Sequence, residues 1–98
     1  MSTNWIPQHP VSFDKCAAFD RDGILAQTVD GGQGLVLTDG QNYLHVYPMP
    51  EQGTVLLERS GANDPVRILE AIEDTFGIKL VSEYDAEYEE LAEQIIKS

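Results

Sequence analysis

Two tyrosines and a histidine occupy alternate positions in the middle of the chain, as Tyr43, His45 and Tyr47. Leu44 and Val46 lie between them, so in a β-strand the three rings share one face and the two aliphatic side chains share the other. Each ring offers apolar area with a polar tip at a small entropic cost, which suits protein recognition. We call these three residues the aromatic row. The pattern predicts a recognition surface, and packing under helices or in cross-strand pairs is the structural alternative.

A dense group of carboxylates lies near the end of the sequence, with no basic residue among them before Lys97. Its members are Glu83, Asp85, Glu87, Glu89, Glu90 and Glu93. In a helix whose apolar stripe faces the core, these side chains form an exposed negative face. Such a face is either a solvated surface or a docking site for a basic partner, including one that normally binds nucleic-acid phosphates. These six residues and the aromatic row are therefore the candidate partner-binding residues.

The run Phe19–Leu25 contains two carboxylates two positions apart, followed by Gly. It resembles the nucleophile motif of haloacid dehalogenase-type phosphohydrolases, which implies a nucleophilic Asp20, an acid/base Asp22 and a magnesium ion beside them. That chemistry needs a loop that leaves a buried parallel strand. Here Ile24 stands in place of the usual Thr, and 98 residues are too few for such an enzyme core. A hairpin turn explains the same residues, so the main prediction is a protein without catalytic residues.

Other ligand patterns are incomplete. The residues after Asp22 lack the further oxygen ligands of a calcium-binding loop. His9 and His45 have no partner at ligand spacing, and Cys16 is the only cysteine. The sequence therefore predicts no metal, no cofactor and no disulfide, with Cys16 buried as a small hydrophobic residue. Cation binding by Asp20 and Asp22 stays open.

The chain is strongly acidic, with 17 acidic residues against 6 basic ones and a net charge of −11. Affinity for nucleic acids and for anionic membranes depends on Lys and Arg, so this charge argues against both as direct partners. A basic protein partner is compatible with it. The length predicts one domain, residues 1–98. A secretory signal and a long apolar stretch are both lacking, so we expect a cytoplasmic protein.

Three Asp-Gly pairs in the first half of the chain predict tight β-hairpins, at Asp22-Gly23, Asp30-Gly31 and Asp39-Gly40. Residues 1–12 predict an irregular arm. Residues 13–60 predict a β-meander of about five strands, because short connections join antiparallel neighbours. The predicted strands are Lys15–Asp20, Ile24–Val29, Gly34–Thr38, Asn42–Tyr47 and Thr54–Glu58.

Residues 63–98 predict a helix, a short strand and a second helix. The first helix follows a capping residue and Pro65, and ends at Gly77, which tolerates the left-handed conformation of a helix terminus. The strand is Ile78–Ser82, and the second helix begins at Ser82 or Asp85. Its apolar stripe comprises Tyr84, Tyr88, Leu91, Ala92, Ile95 and Ile96. The predicted fold class is α+β, with both helices packed on one face of the sheet.

These observations predict a small acidic protein-binding module that acts through the acidic helical face, the aromatic row or both. Three alternatives remain. The first is an acidic mimic of nucleic-acid phosphate that inhibits a basic protein, and the second is a magnesium-dependent phosphohydrolase at Asp20 and Asp22. The third is a homodimeric structural subunit, for which an exposed Tyr84 or Tyr88 would supply the contact.

Overall fold

The computed structural model describes residues 3–97, with the side chains of residues 3–94, and shows an α+β fold. Its strands are β1 (Thr3–Pro7), β2 (Asp20–Arg21), β3 (Ile24–Val29), β4 (Gly34–Thr38), β5 (Tyr43–Met49), β6 (Thr54–Arg59) and β7 (Leu80–Ser82). Its helices are α1 (Phe13–Ala17), α2 (Val66–Phe76) and α3 (Glu87–Lys97). The strands form one sheet in the order β2-β3-β4-β5-β6-β1-β7, and every observed pairing is antiparallel. The predicted fold class is confirmed.

All three Asp-Gly pairs lie at hairpin connections, as predicted. Asp22 and Gly23 both have positive φ, at 55° and 78°, which is the conformation of a type I′ turn between β2 and β3. Asp30–Gly32 lies in the connection between β3 and β4, and all three residues have positive φ. The bounds of β3 and β4 are those that the sequence predicts. The meander of residues 13–60 therefore has five strands, β2 to β6.

Side chains form hydrogen bonds with backbone groups in and beside the β4–β5 hairpin. Asp39 Oδ1 accepts the N–H groups of Gln41 and Asn42 at 2.9 and 2.8 Å. Beyond the end of β6, the buried Asn63 side chain accepts the Tyr43 N–H through Oδ1 and donates to the Tyr43 carbonyl through Nδ2. The amide of Asn63 thus continues the hydrogen-bonding pattern of the sheet where β6 stops.

The first segment of the chain corrects one prediction. Residues 1–12 do not form an irregular arm throughout, because Thr3–Pro7 is β1, which lies between β6 and β7. Trp5 is opposite Leu57 on one side and Ser82 on the other. These partners are distant in the sequence, so no local pattern of residues 1–12 could reveal the strand. Met1 and Ser2 lie outside the described residues.

A second correction concerns the predicted strand Lys15–Asp20. Residues Phe13–Ala17 form the short helix α1, and only Asp20–Arg21 is extended. Ser12 caps the helix, since its Oγ accepts the Lys15 N–H at 3.2 Å. Cys16 is 1% exposed, as expected of a small hydrophobic residue.

The hydrophobic core lies on one face of the sheet, where β4, β5 and β6 contribute Leu35, Leu37, Leu44, Val46, Val55 and Leu57. Cys16 from α1 and Ile68 and Ile72 from α2 pack against these side chains. We call this side the core face. The start of α2 is close to the predicted one, with Asp64 accepting the Val66 N–H. Gly77 ends the helix in the left-handed conformation at φ 63°, which confirms that prediction.

The predicted packing of both helices on one sheet face is not confirmed. Ile6 and Val81 are opposite each other in the register, are 3% and 0% exposed, and lie outside the main core cluster. Their neighbour Trp5 is on the core face, so the alternation of side chains places Ile6 and Val81 on the other side. The helix that contacts β7 is α3, and it is the element positioned to cover them.

The predicted apolar stripe of α3 is partly changed. Tyr84 precedes the helix and is 71% exposed, whereas Tyr88, Leu91 and Ala92 are half-buried. The side chains of Ile95, Ile96 and Lys97 lie outside the description. No helix within residues 3–97 is long and apolar enough to cross a bilayer.

Candidate protein-binding surface

The aromatic row lies on the side of the sheet opposite the core face. Leu44 and Val46 are both 0% exposed in the core, so the alternation of β5 directs Tyr43, His45 and Tyr47 to the other side. Helices α1 and α2 pack on the core face, and α3 contacts β7 at the far end of the sheet. Among the residues that the structure describes, the three rings therefore share a part of the sheet that these helices leave open.

The rings of the aromatic row pack against one another. The centroids of Tyr43 and His45 are 5.6 Å apart with an interplanar angle of 85°, an edge-to-face contact. Those of His45 and Tyr47 are 6.0 Å apart at 7°, a stacked contact. Both are favoured arrangements of aromatic pairs. The side chains are therefore held in fixed orientations while Tyr43 remains 36% exposed and the other two half-exposed.

The register places aliphatic and polar side chains around the aromatic row. Val36 and Glu58 are the cross-strand neighbours of His45, and Leu56 is the neighbour of Tyr47. Each of these side chains is half-exposed. We call the whole surface the open face, and it comprises Leu25, Gln27, Val36, Tyr43, His45, Tyr47, Leu56 and Glu58.

The open face carries a negative charge. Glu58 is its only charged member, and it contains no Lys or Arg. Burial raises the pKa of Tyr47, and the nearby carboxylates of Glu58 and Asp30 raise it further. The Tyr47 hydroxyl therefore keeps its proton at neutral pH and can donate a hydrogen bond.

Two members of the acidic group turn out to have structural partners. Glu83 Oε1 accepts the Asn4 N–H at 3.0 Å, next to the backbone bond from Glu83 N–H to the Asn4 carbonyl. Asp85 Oδ2 accepts the Ser82 N–H at 3.1 Å. Both carboxylates are used by the β7 region of the sheet.

The remaining acidic residues lie on α3. Glu87 is 3.6 Å from Lys79 Nζ in an exposed ion pair. Glu89, Glu90 and Glu93 are exposed, and none forms an ion pair with the side chains that the structure describes. These three members of the predicted acidic face are the ones without such a contact among the described side chains, and we call them the α3 glutamates.

The residues of the phosphohydrolase-like motif lie in a hairpin. Asp20 is in β2 and Asp22 is in the turn before β3, and both are exposed. The two strands are antiparallel, so the loop does not leave a buried parallel strand as the resemblance requires. Asp22 Oδ2 is 3.3 Å from Arg21 Nε. Asp22 also lines an open groove of about 390 Å³ with Arg67, Glu70 and Asp74.

Neither a metal cluster nor a reactive thiol is present in the described part of the chain. Within it, no three His, Cys, Asp or Glu side chains are grouped so as to hold a metal ion. Burial raises the pKa of the Cys16 thiol to about 11. The thiol is therefore protonated at neutral pH, and a protonated thiol is a poor nucleophile.

No protein-family model, curated protein or solved structure matches the chain. Oriented aromatic rings beside a carboxylate attract a cationic side chain, through the ring faces and through the negative charge. An arginine suits this arrangement best, because its planar guanidinium stacks on rings and pairs with a carboxylate at the same time.

Sequence reasoning found the aromatic row but missed its neighbours on the open face. Alternation within one strand identifies Tyr43, His45 and Tyr47, whereas the presence of Glu58 beside His45 depends on the β5–β6 register. The connection between those strands contains Pro50 and Gly53 and does not fix the register from sequence alone. The shorter β4–β5 hairpin was the signal that would have placed Val36 beside His45.

Proposed function

We propose that this protein is a binding module without a catalytic role, and that it recognises a basic segment of a partner protein through the open face. The observation that supports this most directly is the mutual packing of the aromatic row on a part of the sheet that no helix within residues 3–97 is seen to cover, with Glu58 beside it. Aromatic residues are enriched at the centres of protein interfaces.

The arrangement of the rings favours binding for an energetic reason. Ordering a flexible side chain on association costs about 0.5–1.5 kcal/mol. The contacts of His45 with Tyr43 and Tyr47 hold the three side chains in place before a partner arrives. The open face also keeps apolar side chains, such as Leu56 and Val36, partly in water. Covering them adds a hydrophobic contribution to the attraction between the partner's charge and Glu58.

Photocrosslinking in the host cell tests this proposal, with a matched control in the same chain. A photoreactive phenylalanine analogue replaces Tyr43 in one variant and Tyr84 in the other, because both are exposed tyrosines and only Tyr43 lies on the open face. We expect Tyr43 to give a discrete crosslinked partner, identified by mass spectrometry, that Tyr84 does not give. Adding Glu58→Lys to the Tyr43 variant removes that product. The proposal is wrong if both positions give the same products or if Glu58→Lys has no effect.

A second candidate surface is formed by the α3 glutamates, whose carboxylates are exposed without ion pairs among the described side chains. Closely spaced negative charges on a helix mimic nucleic-acid phosphates, so the partner would be a basic nucleic-acid-binding protein. The triple variant Glu89→Lys, Glu90→Lys and Glu93→Lys separates the two surfaces. Loss of the partner in this variant, together with displacement of the partner by added DNA, would favour the α3 glutamates over the open face.

A further inference from the structure

Part of β3 has a strand on one side only. β2 pairs with Ile24 and Leu25, and the other residues of β3, Ala26–Val29, pair with β4 alone. Within the described residues, no other strand lies beside this stretch. We call Ala26–Val29 the free edge.

The alternation of antiparallel hydrogen bonds shows which backbone groups of the free edge lack a strand partner. The Asp39 N–H donates to the Asn42 carbonyl, so the next pair, Thr38 with Tyr43, is a non-hydrogen-bonded pair. The backbone groups of Thr38 therefore face β3, where Leu25 is opposite. Every second residue of β3 after Leu25 bonds to β4 in the same way. The backbone groups that point to the free side are those of Ala26 and Thr28.

The residues of the free edge lack two kinds of side chain that protect many edge strands. These are charged residues and prolines. Residues Ile24–Val29 contain neither a charge nor a proline, and Gln27 and Thr28 are exposed. The edge is short, so it fits about four residues of an added strand.

The surroundings of the free edge are acidic. Asp20 and Asp22 lie in the hairpin at one end, and Asp30 begins the turn at the other, all exposed. Arg21 is paired with Asp22, and Arg67 lies in the groove beside Asp22 together with Glu70 and Asp74, so the charge at this end of the edge stays net negative. A second copy of this chain would bring a further net charge of −11 to the same place. Charge complementarity therefore favours a basic occupant over self-association.

We propose that the free edge binds an extended segment of a partner protein by strand addition, and that this segment has a short uncharged centre with basic residues at its ends. The backbone groups of Ala26 and Thr28 bond to the centre, and the aspartates attract the ends. The proposal concerns the edge and not the aromatic row, so it fails or succeeds independently of the function proposed above.

The test uses the full chain labelled with ¹⁵N and the peptide acetyl-Lys-Thr-Val-Thr-Val-Lys-amide. At a free peptide concentration ten times the dissociation constant, amide exchange at Ala26 and Thr28 should slow about tenfold, while that at Leu80 and Ser82 is unchanged. A peptide with Glu in place of both Lys residues is the charge control. A peptide with N-methyl groups on alternate amides is the hydrogen-bond control. Both control peptides should bind at least about tenfold more weakly than the Lys peptide.

Two variants test the same contact from the protein side. Thr28→Pro removes one outward N–H at an edge position that tolerates proline. Gln27→Lys keeps the backbone N–H groups and adds only a positive charge that repels the basic peptide. It therefore tests the contact even if the proline variant does not fold. Both should weaken peptide binding. Three results would each overturn the proposal. The first is equal binding of the Lys and Glu peptides, and the second is slower amide exchange at the aromatic row alone. The third is a molecular mass that rises with protein concentration through self-association at β3.

Discussion

The two edges of the sheet differ in what their outward backbone N–H groups bind. On β7, the pair Ile6 and Val81 belongs to the β1–β7 ladder, so the N–H groups of Leu80 and Ser82 point outward. Glu73 Oε2 accepts the Leu80 N–H at 2.9 Å, and Asp85 Oδ2 accepts the Ser82 N–H at 3.1 Å. On the free edge of β3, no carboxylate within the described residues accepts the outward N–H groups of Ala26 and Thr28.

This difference shows where the sheet can gain a strand. An N–H group that already donates to a carboxylate is not available to an added strand, so β7 is closed. The free edge is adjacent to the open face, since Leu25 and Gln27 of β3 belong to that face. The two candidate binding features therefore lie together, on the part of the sheet remote from β7 and α3.

The largest effect is expected from matched leucine truncations at the two edges. Leu80 of β7 is 7% exposed in the core, and Leu25 of β3 is 50% exposed. Leu80→Ala should lower the free energy of unfolding by about 2–5 kcal/mol, because it leaves a cavity. Leu25→Ala should change it by no more than about 0.5 kcal/mol, as for most surface substitutions. Urea denaturation measures the free energy of unfolding of both variants. Similar losses would contradict the difference in burial between the two leucines.

A smaller effect is expected when the carboxylates that close β7 are removed. The double variant Glu73→Ala and Asp85→Ala leaves the N–H groups of Leu80 and Ser82 to water, which should lower the free energy of unfolding by about 1–3 kcal/mol in total. Amide exchange at these two positions should become faster. The control is Glu73→Gln with Asp85→Asn, which keeps an acceptor oxygen at both sites and should retain most of the protection. Unchanged exchange in the alanine variant would show that the carboxylates do not close the edge.

The features that the sequence predicted correctly are local ones. Asp22-Gly23 determines its own turn, because both residues must adopt positive φ. Gly77 likewise ends α2 through its own left-handed conformation. The aromatic row needed only the alternation of one strand. Each of these predictions rests on residues that are neighbours in the chain, where sequence pattern and structure have a direct physical link.

The features that the sequence did not predict depend on contacts between residues distant in the sequence, or are elements of very few residues. β1 is a strand because Trp5 is held between Leu57 and Ser82, and nothing within residues 1–12 encodes those partners. α1 has only five residues, too few for a helical period, and its one signal was Ser12 as a capping residue. The hydrogen bond from the Ser82 N–H to Asp85 is likewise formed only in the folded loop.

The smallest effect concerns a third place where a carboxylate holds backbone N–H groups. The N–H groups of Asn42 and Gln41 lower the pKa of Asp39 below its ordinary value of 3.8, and Arg67, 3.6 Å away, adds to this. A lowered pKa means that the carboxylate stabilises the fold above pH 3.8, and that this contribution is lost as the pH falls through the lowered pKa. Wild type should therefore unfold at a higher temperature than Asp39→Asn at pH 6, and the two should converge in acid.

The free edge supplies the control for this titration. Its outward amides donate to no carboxylate in the described part of the chain, so Thr28→Ala should shift the unfolding temperature by the same amount at pH 6 and in acid. A pH-independent difference for Asp39→Asn would show that the variant perturbs the packing of the hairpin and not a charged hydrogen bond. If instead the unfolding temperature of the Asp39 variant alone converges with that of wild type in acid, the contribution of amides bonded to a carboxylate depends on pH. That of the outward amides of the free edge does not.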